Sequence, residues 1–520
     1  MMDKTSVRTL QDLLTEAAAS YGDKVYMREK AGKEFADTSF AQLTENCRRV
    51  SAFIAERTEG RKAHAAMIGL TSAAYLTCYF GTACMGNVSV PLDAQLGAED
   101  LCDHLQRADV EIFFFDKRYA PMLPVIRANC PMIHTYVAMQ DMEEEGIFNL
   151  SAVLAEYAPA QWTALDPESC AAIVYTSGTT GKSKGVMLSH RNLIDNTMCQ
   201  DGESSTEDTT MTILPIHHVY CFTCDILLGL RYGTTTCVND SMMRIPQNLK
   251  LFQPTTLLLV PMIAETIYKK IKAAAAAMPD VPIAAIGQGV FGGRLKRIYS
   301  GGAYLNPELL KAYREMGFIV CQGYGMTECS PRISTARDDD TNVGDVGTLV
   351  NGCTVKIVDG EIWAKSPSVM MGYYKNPEAT AEMLTEDGWL RTGDLGYVDE
   401  ENRVYITGRK KNLIILSNGE NVSPEELENK FSGLDWVGDV LVYAEDDGMI
   451  TAEVFPHPEY LAANSMEAVT EAFKAHVQAI NKTMAPAKNI RRLRLRTEDF
   501  DKTTSRKIKR TQTTKGEICG

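Results

Sequence analysis

CAAIVYTSGTTGKSKG, residues 170–185, runs from an apolar segment straight into a loop of glycines, hydroxyls and lysines. The first six residues have the character of a buried strand. The glycines let the backbone curl so that successive N–H groups face one point. Thr176, Ser177, Gly178, Thr179, Thr180 and Gly181 supply hydroxyl and amide donors, and Lys184 supplies a positive charge. Such a set suits a polyphosphate. The loop is expected to lead from this strand into a helix that starts near Ser189. A P-loop is excluded by spacing: GxxxxGK[ST], counted back from Gly181-Lys182-Ser183, needs glycine where Thr176 stands.

Outward from this loop, the chain alternates. AAMIGL (65–70), VSVPLD (88–93) and VEIFFFD (110–116) are short apolar runs, separated by helical periodicity at 71–86 and 96–108. That order predicts βαβ units and a parallel sheet. No GxGxxG follows the first strand, so a dinucleotide site is not supported. TTLLLVP (255–261), RIYSGG (297–302) and FIVCQGYGMTE (318–328) read as further strands ending in loops. Ligands of such sheets sit at the carboxyl ends of strands. WLRTGDLGYVDEENRVYI (389–406) reads as a hairpin that turns at DEEN. A boundary falls near residue 410. Beyond it Ser423, Pro424 and Glu426 form a helix start with an S-x-x-E capping box. VLVYAE (440–445), ITAEVFP (450–456) and a helix at 467–480 complete a small α+β domain.

The bulk numbers narrow the function. A chain of 520 residues exceeds one hydrophobic core. The net charge of −14 disfavours nucleic acid as a partner. Fourteen cysteines without regular spacing, and no secretory start, point to the cytoplasm. The lone CxxC at Cys221 and Cys224 reads as structural. No apolar run reaches the ~18 residues that a membrane-spanning helix needs. One stretch runs against the acidic balance: Arg491, Arg492, Arg494, Arg496, Lys502, Arg506, Lys507, Lys509 and Arg510 are either a solvated face or a surface that meets phosphates.

The 176–185 loop resembles the phosphate loop of the adenylate-forming superfamily, which includes acyl-CoA synthetases, luciferases and the adenylation domains of nonribosomal peptide synthetases. Further motifs follow in the family's order over most of the chain. Gln322-Gly323-Tyr324-Gly325-Met326-Thr327-Glu328 resembles the adenine and magnesium motif. The resemblance implies that Tyr324 stacks on adenine, Thr327 contacts the α-phosphate and Glu328 ligates Mg²⁺, a hard cation suited to carboxylate and phosphate oxygens. Leu390-Arg391-Thr392-Gly393-Asp394 resembles the ribose motif, with Asp394 accepting from the ribose hydroxyls. Gly408-Arg409-Lys410-Lys411 resembles the hinge motif, with Arg409 beside the nucleotide and Lys411 at the pivot. Lys502–Arg510 resembles the terminal motif and puts Lys507 at the catalytic position. Arg506 stands where glycine is usual, and Lys502 and Lys509 are the alternatives. His218 aligns with the residue at the mouth of the acyl pocket. Val219 stands where amino-acid-activating relatives carry an Asp, which disfavours amino acids. Gly302 approaches adenine, within the small-residue floor Ser300–Ala303.

The resemblance implies an α/β fold: a large N-terminal domain of parallel-sheet βα subdomains, residues 1–408, which binds ATP and the acyl group, and a small mobile α+β domain, residues 409–520, which carries the catalytic lysine and serves the thiol half-reaction. The implied reaction is ATP-dependent activation of a carboxylic acid, best a fatty acid, to acyl-AMP and pyrophosphate, followed by thioester formation with coenzyme A. An acyl carrier protein thiol is the alternative acceptor. A nucleotide-binding regulator without activity is the rival from another class. The presence of Lys507, Glu328 and Asp394 argues against it.

Overall fold

The computed structural model describes residues 2, 6–176, 183–199, 204–416, 421–445, 447–502, 508–510 and 517–518. The strand Val110–Phe115 shows how the large unit is built. Its side chains alternate across the sheet. Ile112 and Phe114 enter one core with Val50, Phe53 and Phe80. Phe113 and Phe115 enter a second core with Leu101 and Leu105. A sheet covered on both faces demands this near-continuous apolar run.

That strand belongs to an eight-stranded sheet. Its parallel part runs from Cys170–Thr176 through Val88–Leu92, His64–Ile68, Val110–Phe115 and Thr135–Ala138 to Ile147–Asn149. A nine-stranded sheet holds a second parallel run: Ile319–Gly325, Arg297–Ser300, Thr256–Leu259, Thr209–Thr212, Thr235–Val238 and Val25–Ala31. The predicted parallel α/β architecture is present.

The helix expected from about Ser189 is in place, but the loop does not enter it directly. Lys184–Ser189 is a strand antiparallel to Cys170–Thr176, with Lys184 opposite Thr176. The helix His190–Met198 starts only after it, capped by the Ser189 hydroxyl, which accepts from Asn192 N. Val186 and Leu188 are buried while Met187 between them is partly exposed, a period of two that marks a strand. Lys184 is therefore held on a β-ladder rather than at a helix N-terminus.

A four-stranded antiparallel sheet follows: Thr354–Val358, Glu361–Lys365, Leu390–Val398 and Val404–Arg409. The DEEN turn forms because Asp399 Oδ1 accepts from the Glu401 and Arg403 amides, at 3.1 and 2.8 Å. Asn402 takes the left-handed conformation at φ 61°. The small C-terminal unit packs the helix Met466–Lys482 on its own sheet through Val469, Phe473 and Ile480. Its expected capping box does not form. Ser423 precedes the helix Pro424–Glu428, but its hydroxyl lies 3.0 Å from Glu425 Oε2 and donates there, while Glu426 pairs with Lys488. A carboxylate two residues on is the stronger partner for the hydroxyl. No helix among the described residues is long and apolar enough to cross a membrane.

Candidate active site

The carboxyl ends of the central strands open into one cleft of about 2580 Å³. Thr176, Lys184, His218, Gly302, Gln322 and Gly323 line it. So do Tyr324, Thr327, Glu328, Asp394, Arg409 and Lys411. Ser177, Gly178, Thr179, Thr180, Gly181 and Lys507 lie outside the described residues.

Three contacts organise one side of the cleft. The short strand Gly372–Tyr373 pairs with Lys184–Ser189, setting Tyr373 opposite Val186. The Lys184 ammonium then lies 4.9 Å from the centre of the Tyr373 ring. The Tyr373 hydroxyl donates to Glu328 Oε1 at 2.7 Å. One tyrosine thus joins the phosphate-loop lysine to the buried acid. Burial, then the Glu328 charge, push the Tyr373 phenol well above its ordinary value, so it remains a donor. The near end of the loop is anchored as well. Arg107 donates to the Ser183 carbonyl at 2.6 Å, and His104 bonds the Ser183 hydroxyl while stacking on Tyr175.

On the facing side Asp394 sits opposite Arg409 in the ladder. Its carboxylate accepts from Arg409 Nε at 2.7 Å and from the Tyr324 hydroxyl at 2.7 Å. Burial, then Asp394, hold the Tyr324 phenol protonated. Tyr324 and Asp394, seventy residues apart, therefore form one unit with a flat ring at the cleft. Gln322 is fixed by its amide, which donates to the Asp345 carbonyl at 3.0 Å.

The floor beyond Ser300 requires glycine. A Cβ on Gly301 would stand 2.9 Å from the Tyr220 ring, and Gly302 has φ 82°. Among the described residues the buried Ser300 hydroxyl has no hydrogen-bond partner. At the mouth, His217 and His218 lie with ring centres 4.4 Å apart. Burial, aided by His218 and opposed by Asp93, pulls His217 down to about 3. Its 3.7 Å approach to Asp93 is therefore a contact of a neutral imidazole, not an ion pair.

The basic C-terminal run turns out to be largely committed. Arg492 and Arg494 pair with Glu445, and Arg496 with the fully buried Glu453. Lys502 binds Asp439 and Asp499, and Arg510 binds Glu425 and Glu428. The expectation of a broad phosphate-meeting surface is corrected to this extent. These cations neutralise acids 3 to 85 residues away in sequence. Lys502, one of the alternatives to Lys507, is held in such a pair, whereas Lys509 lines the cleft. Cys221 and Cys224 are free thiols that burial pushes up, Cys224 to about 11.

A family model described as AMP-binding enzyme matches residues 14–374, and one described as AMP-binding enzyme C-terminal domain matches residues 411–516. The chain belongs to the AMP-binding enzyme family. It is an AMP-forming acid–thiol ligase of the acyl-CoA synthetase type. Among members of the family, the long-chain-fatty-acid–CoA ligase FadD15 of Mycobacterium bovis is 27% identical over 82% of this chain and 81% of its own. Long-chain-fatty-acid–CoA ligase 5 of Rattus norvegicus is 29% identical over 72% of this chain and 64% of its own. The crystal structure of the anthranilate CoA ligase AuaEII with anthranoyl-AMP shares the fold, with a TM-score of 0.84 at 20% identity over 98% of both chains.

Sequence reasoning missed Tyr373, His104, Arg107 and Arg332. Tyr373 and Arg332 carry no motif of their own. Tyr373 reaches the site through an edge strand and Arg332 through a strand inside the nine-stranded sheet, both far from the loop in sequence.

Proposed function

We propose that this cleft activates a carboxylic acid as acyl-AMP and then passes the acyl group to coenzyme A. The observation that carries the proposal is the convergence of Lys184, Glu328, Tyr324 and Asp394 on one cleft. In this reading Asp394 and Arg409 hold the ribose, and the Tyr324 ring stacks on adenine above Gly302. Thr327 and Lys184 meet the phosphates, with Thr176 to Gly181 donating from the loop. Lys507 brings a further charge to the reacting phosphate. His218 lines the way to the acyl pocket.

Glu328 is a single carboxylate, and among the described residues no group of three or more His, Cys, Asp or Glu could hold a metal. A cation bound here shares its shell with phosphate and water, which is how Mg²⁺ binds nucleotides. Bound there, Mg²⁺ would neutralise charge on the triphosphate. The chain's own task is in-line positioning of two anions and relief of their repulsion.

The named relatives are CoA ligases for long-chain fatty acids, which supports coenzyme A over a carrier protein and a fatty acid as the acyl donor. Residues 1–408 and 409–520 act as two bodies in this proposal. The second rotates about Lys411 between the half-reactions. The thirteen described cysteines are free thiols, which supports a reducing compartment, the cytoplasm.

The test is AMP formation from a panel of aliphatic and aryl acids, with CoA or holo-carrier protein as acceptor, in wild type and Lys507→Ala. The expected result is CoA-dependent AMP release that the variant loses. Equal pyrophosphate exchange in both proteins would remove Lys507 from the chemistry.

A further inference from the structure

Arg332 is partly exposed and lines the cleft. It opens the strand Arg332–Thr335, paired with Gly325 of the neighbouring strand. Arginine stays protonated, so a full positive charge stands at the cleft wall. A charge with so little access to water ordinarily takes a carboxylate partner. Among the described residues Arg332 has none. Its Nε donates to Asn196 Oδ1 at 3.3 Å, and its Nη2 donates to the Asn196 carbonyl. Both acceptors are neutral.

The arrangement is also rigid. Asn196 is fully buried on the helix His190–Met198. Its amide nitrogen donates to the Cys329 and Arg332 carbonyls at 3.1 and 3.0 Å, which fixes Oδ1 toward the guanidinium. Arg332 Nη1 meets no acceptor among the described residues. The groups that feel its charge are Cys199, which lies off the cleft, and Tyr220, Cys224, Tyr232 and Tyr299, which line it. The Cys224 thiol and the Tyr220 and Tyr299 phenols are pushed up by burial and stay neutral. Asp225, which shares Tyr220 and Cys224 with Arg332 as neighbours, turns elsewhere: its Oδ1 accepts from the Thr210 hydroxyl at 2.8 Å. Tyr220 is also the ring that packs against Gly301, so Arg332 belongs to the acyl side of the cleft.

We infer that the acid activated here carries a second carboxylate at its far end, and that Arg332 receives it. The substrate class is then a dicarboxylic fatty acid, an alkyl chain with a carboxylate at each end. This deepens the acid–thiol ligase reading and rests on it. Nη1 and the second Nη2 hydrogen are the donors available for the incoming anion. An unbranched alkyl tail would leave the guanidinium without its counter-charge. A site built around a polar group rejects analogues that lack the matching group far more sharply than an apolar pocket rejects a changed chain length.

The experiment measures kcat/KM for CoA-dependent AMP formation with α,ω-dicarboxylic acids of four to twelve carbons and with monocarboxylic acids of matched length. Wild type is expected to favour its best diacid over the matched monoacid by about 100-fold or more. Arg332→Met, which conserves volume, is expected to lose about 100-fold on that diacid through KM, with the monoacid and the KM for ATP within about threefold. Equal or better use of monoacids by wild type at every length overturns the inference and leaves the ligase reading intact. No AMP from any acid overturns both. Should Arg332→Met not fold, the wild-type ratio alone decides.

Discussion

Asp394→Asn keeps the shape of the side chain and removes its charge. The carboxylate is 4% exposed and holds the Arg409 guanidinium and the Tyr324 hydroxyl, each at 2.7 Å. In the proposed complex it also accepts from both ribose hydroxyls. A hydrogen bond to a charged acceptor contributes about 1.5–3 kcal/mol, and one to a neutral acceptor about 0.5–1.5 kcal/mol. Each ribose contact therefore weakens by about 1–1.5 kcal/mol, and the pair by about 2–3 kcal/mol, which is roughly 30- to 150-fold in ATP affinity. The ribose is remote from the reacting phosphorus, so KM for ATP should rise with kcat held within about threefold.

The assay compares ATP with 2′-deoxy-ATP, by direct binding and in turnover. Wild type should lose roughly tenfold on the deoxy nucleotide, and the variant distinctly less, because one of its two contacts is already weak. The fold should survive. Arg409 is 39% exposed, so its pair with Asp394 contributes about 1 kcal/mol or less. For a chain of this size that is a fall in unfolding midpoint of about 4 °C or less. Asp394→Asn binding ATP as tightly as wild type, with undiminished 2′-hydroxyl discrimination, would refute the ribose role.

Three further outcomes follow from the site. Asp225 is buried, with Oδ2 unpartnered among the described residues, and burial raises it to about 6, opposed by the Thr210 hydroxyl. Its folded pKa lies above the unfolded value, so the folded state holds a proton that the unfolded chain releases, and stability falls as pH rises from about 4 to 6. Over those roughly two units the loss is on the order of 3 kcal/mol. Asp225→Asn should remove that slope in chemical unfolding measured from pH 4 to 8 and stabilise the protein at pH 7. An unchanged slope would count against it. Tyr373→Phe deprives Glu328 of the donor that orients it; the Mg²⁺ concentration for half-maximal AMP formation should rise several-fold while KM for ATP at saturating Mg²⁺ stays constant. Gly301→Ala places a methyl 2.9 Å from the Tyr220 ring and should cut kcat/KM for the acid by about tenfold or more without altering KM for ATP.

The alternation of strands and helices was legible because each element obeys its own period. VEIFFF is continuous since both of its faces are covered, and the helix 73–83 is buried from Tyr75 to Ala83. The motif residues were legible because their chemistry is local: hydroxyls and glycines in one loop, a carboxylate beside a threonine. What was not legible depends on partners remote in sequence. The exit of the phosphate loop was read as running on to the helix at Ser189, because only Gly185, Val186, Met187 and Leu188 separate Lys184 from it, and only the burial of Val186 and Leu188 reveals a strand. Tyr373 meets Glu328 across 45 residues by adding a strand to that same edge. The basic tail suggested free cations because its acids lie elsewhere in the chain; Arg496 finds Glu453 from 43 residues away.

The same pairings bear on how a second body could turn about the hinge. Lys410 is tied to Glu361 of the large unit at 2.9 Å, and Glu361 also accepts from the Gly393 amide beside Asp394. The residue before the pivot is thus fixed to the ribose motif, while Lys411 faces the cleft. Before the pivot, Gly408 lies so close to Ser423, which follows it, that a Cβ would stand 2.1 Å from the Ser423 hydroxyl oxygen, which keeps the two arms of the hinge in contact. Farther out, the units touch through polar surface groups: Lys272 with Asp435 at 2.9 Å, both about half exposed, and Asn306 with Ser432 at 3.2 Å. An exposed ion pair of this kind contributes about 0–1 kcal/mol. Lys502 and Arg510, which flank the 503–507 segment, are bound instead to Asp439 and Glu428 within the small unit. In the two-body proposal Lys502 and Arg510 therefore travel with the small unit, and the contacts to be broken are weak enough for nucleotide binding to shift the balance between two orientations.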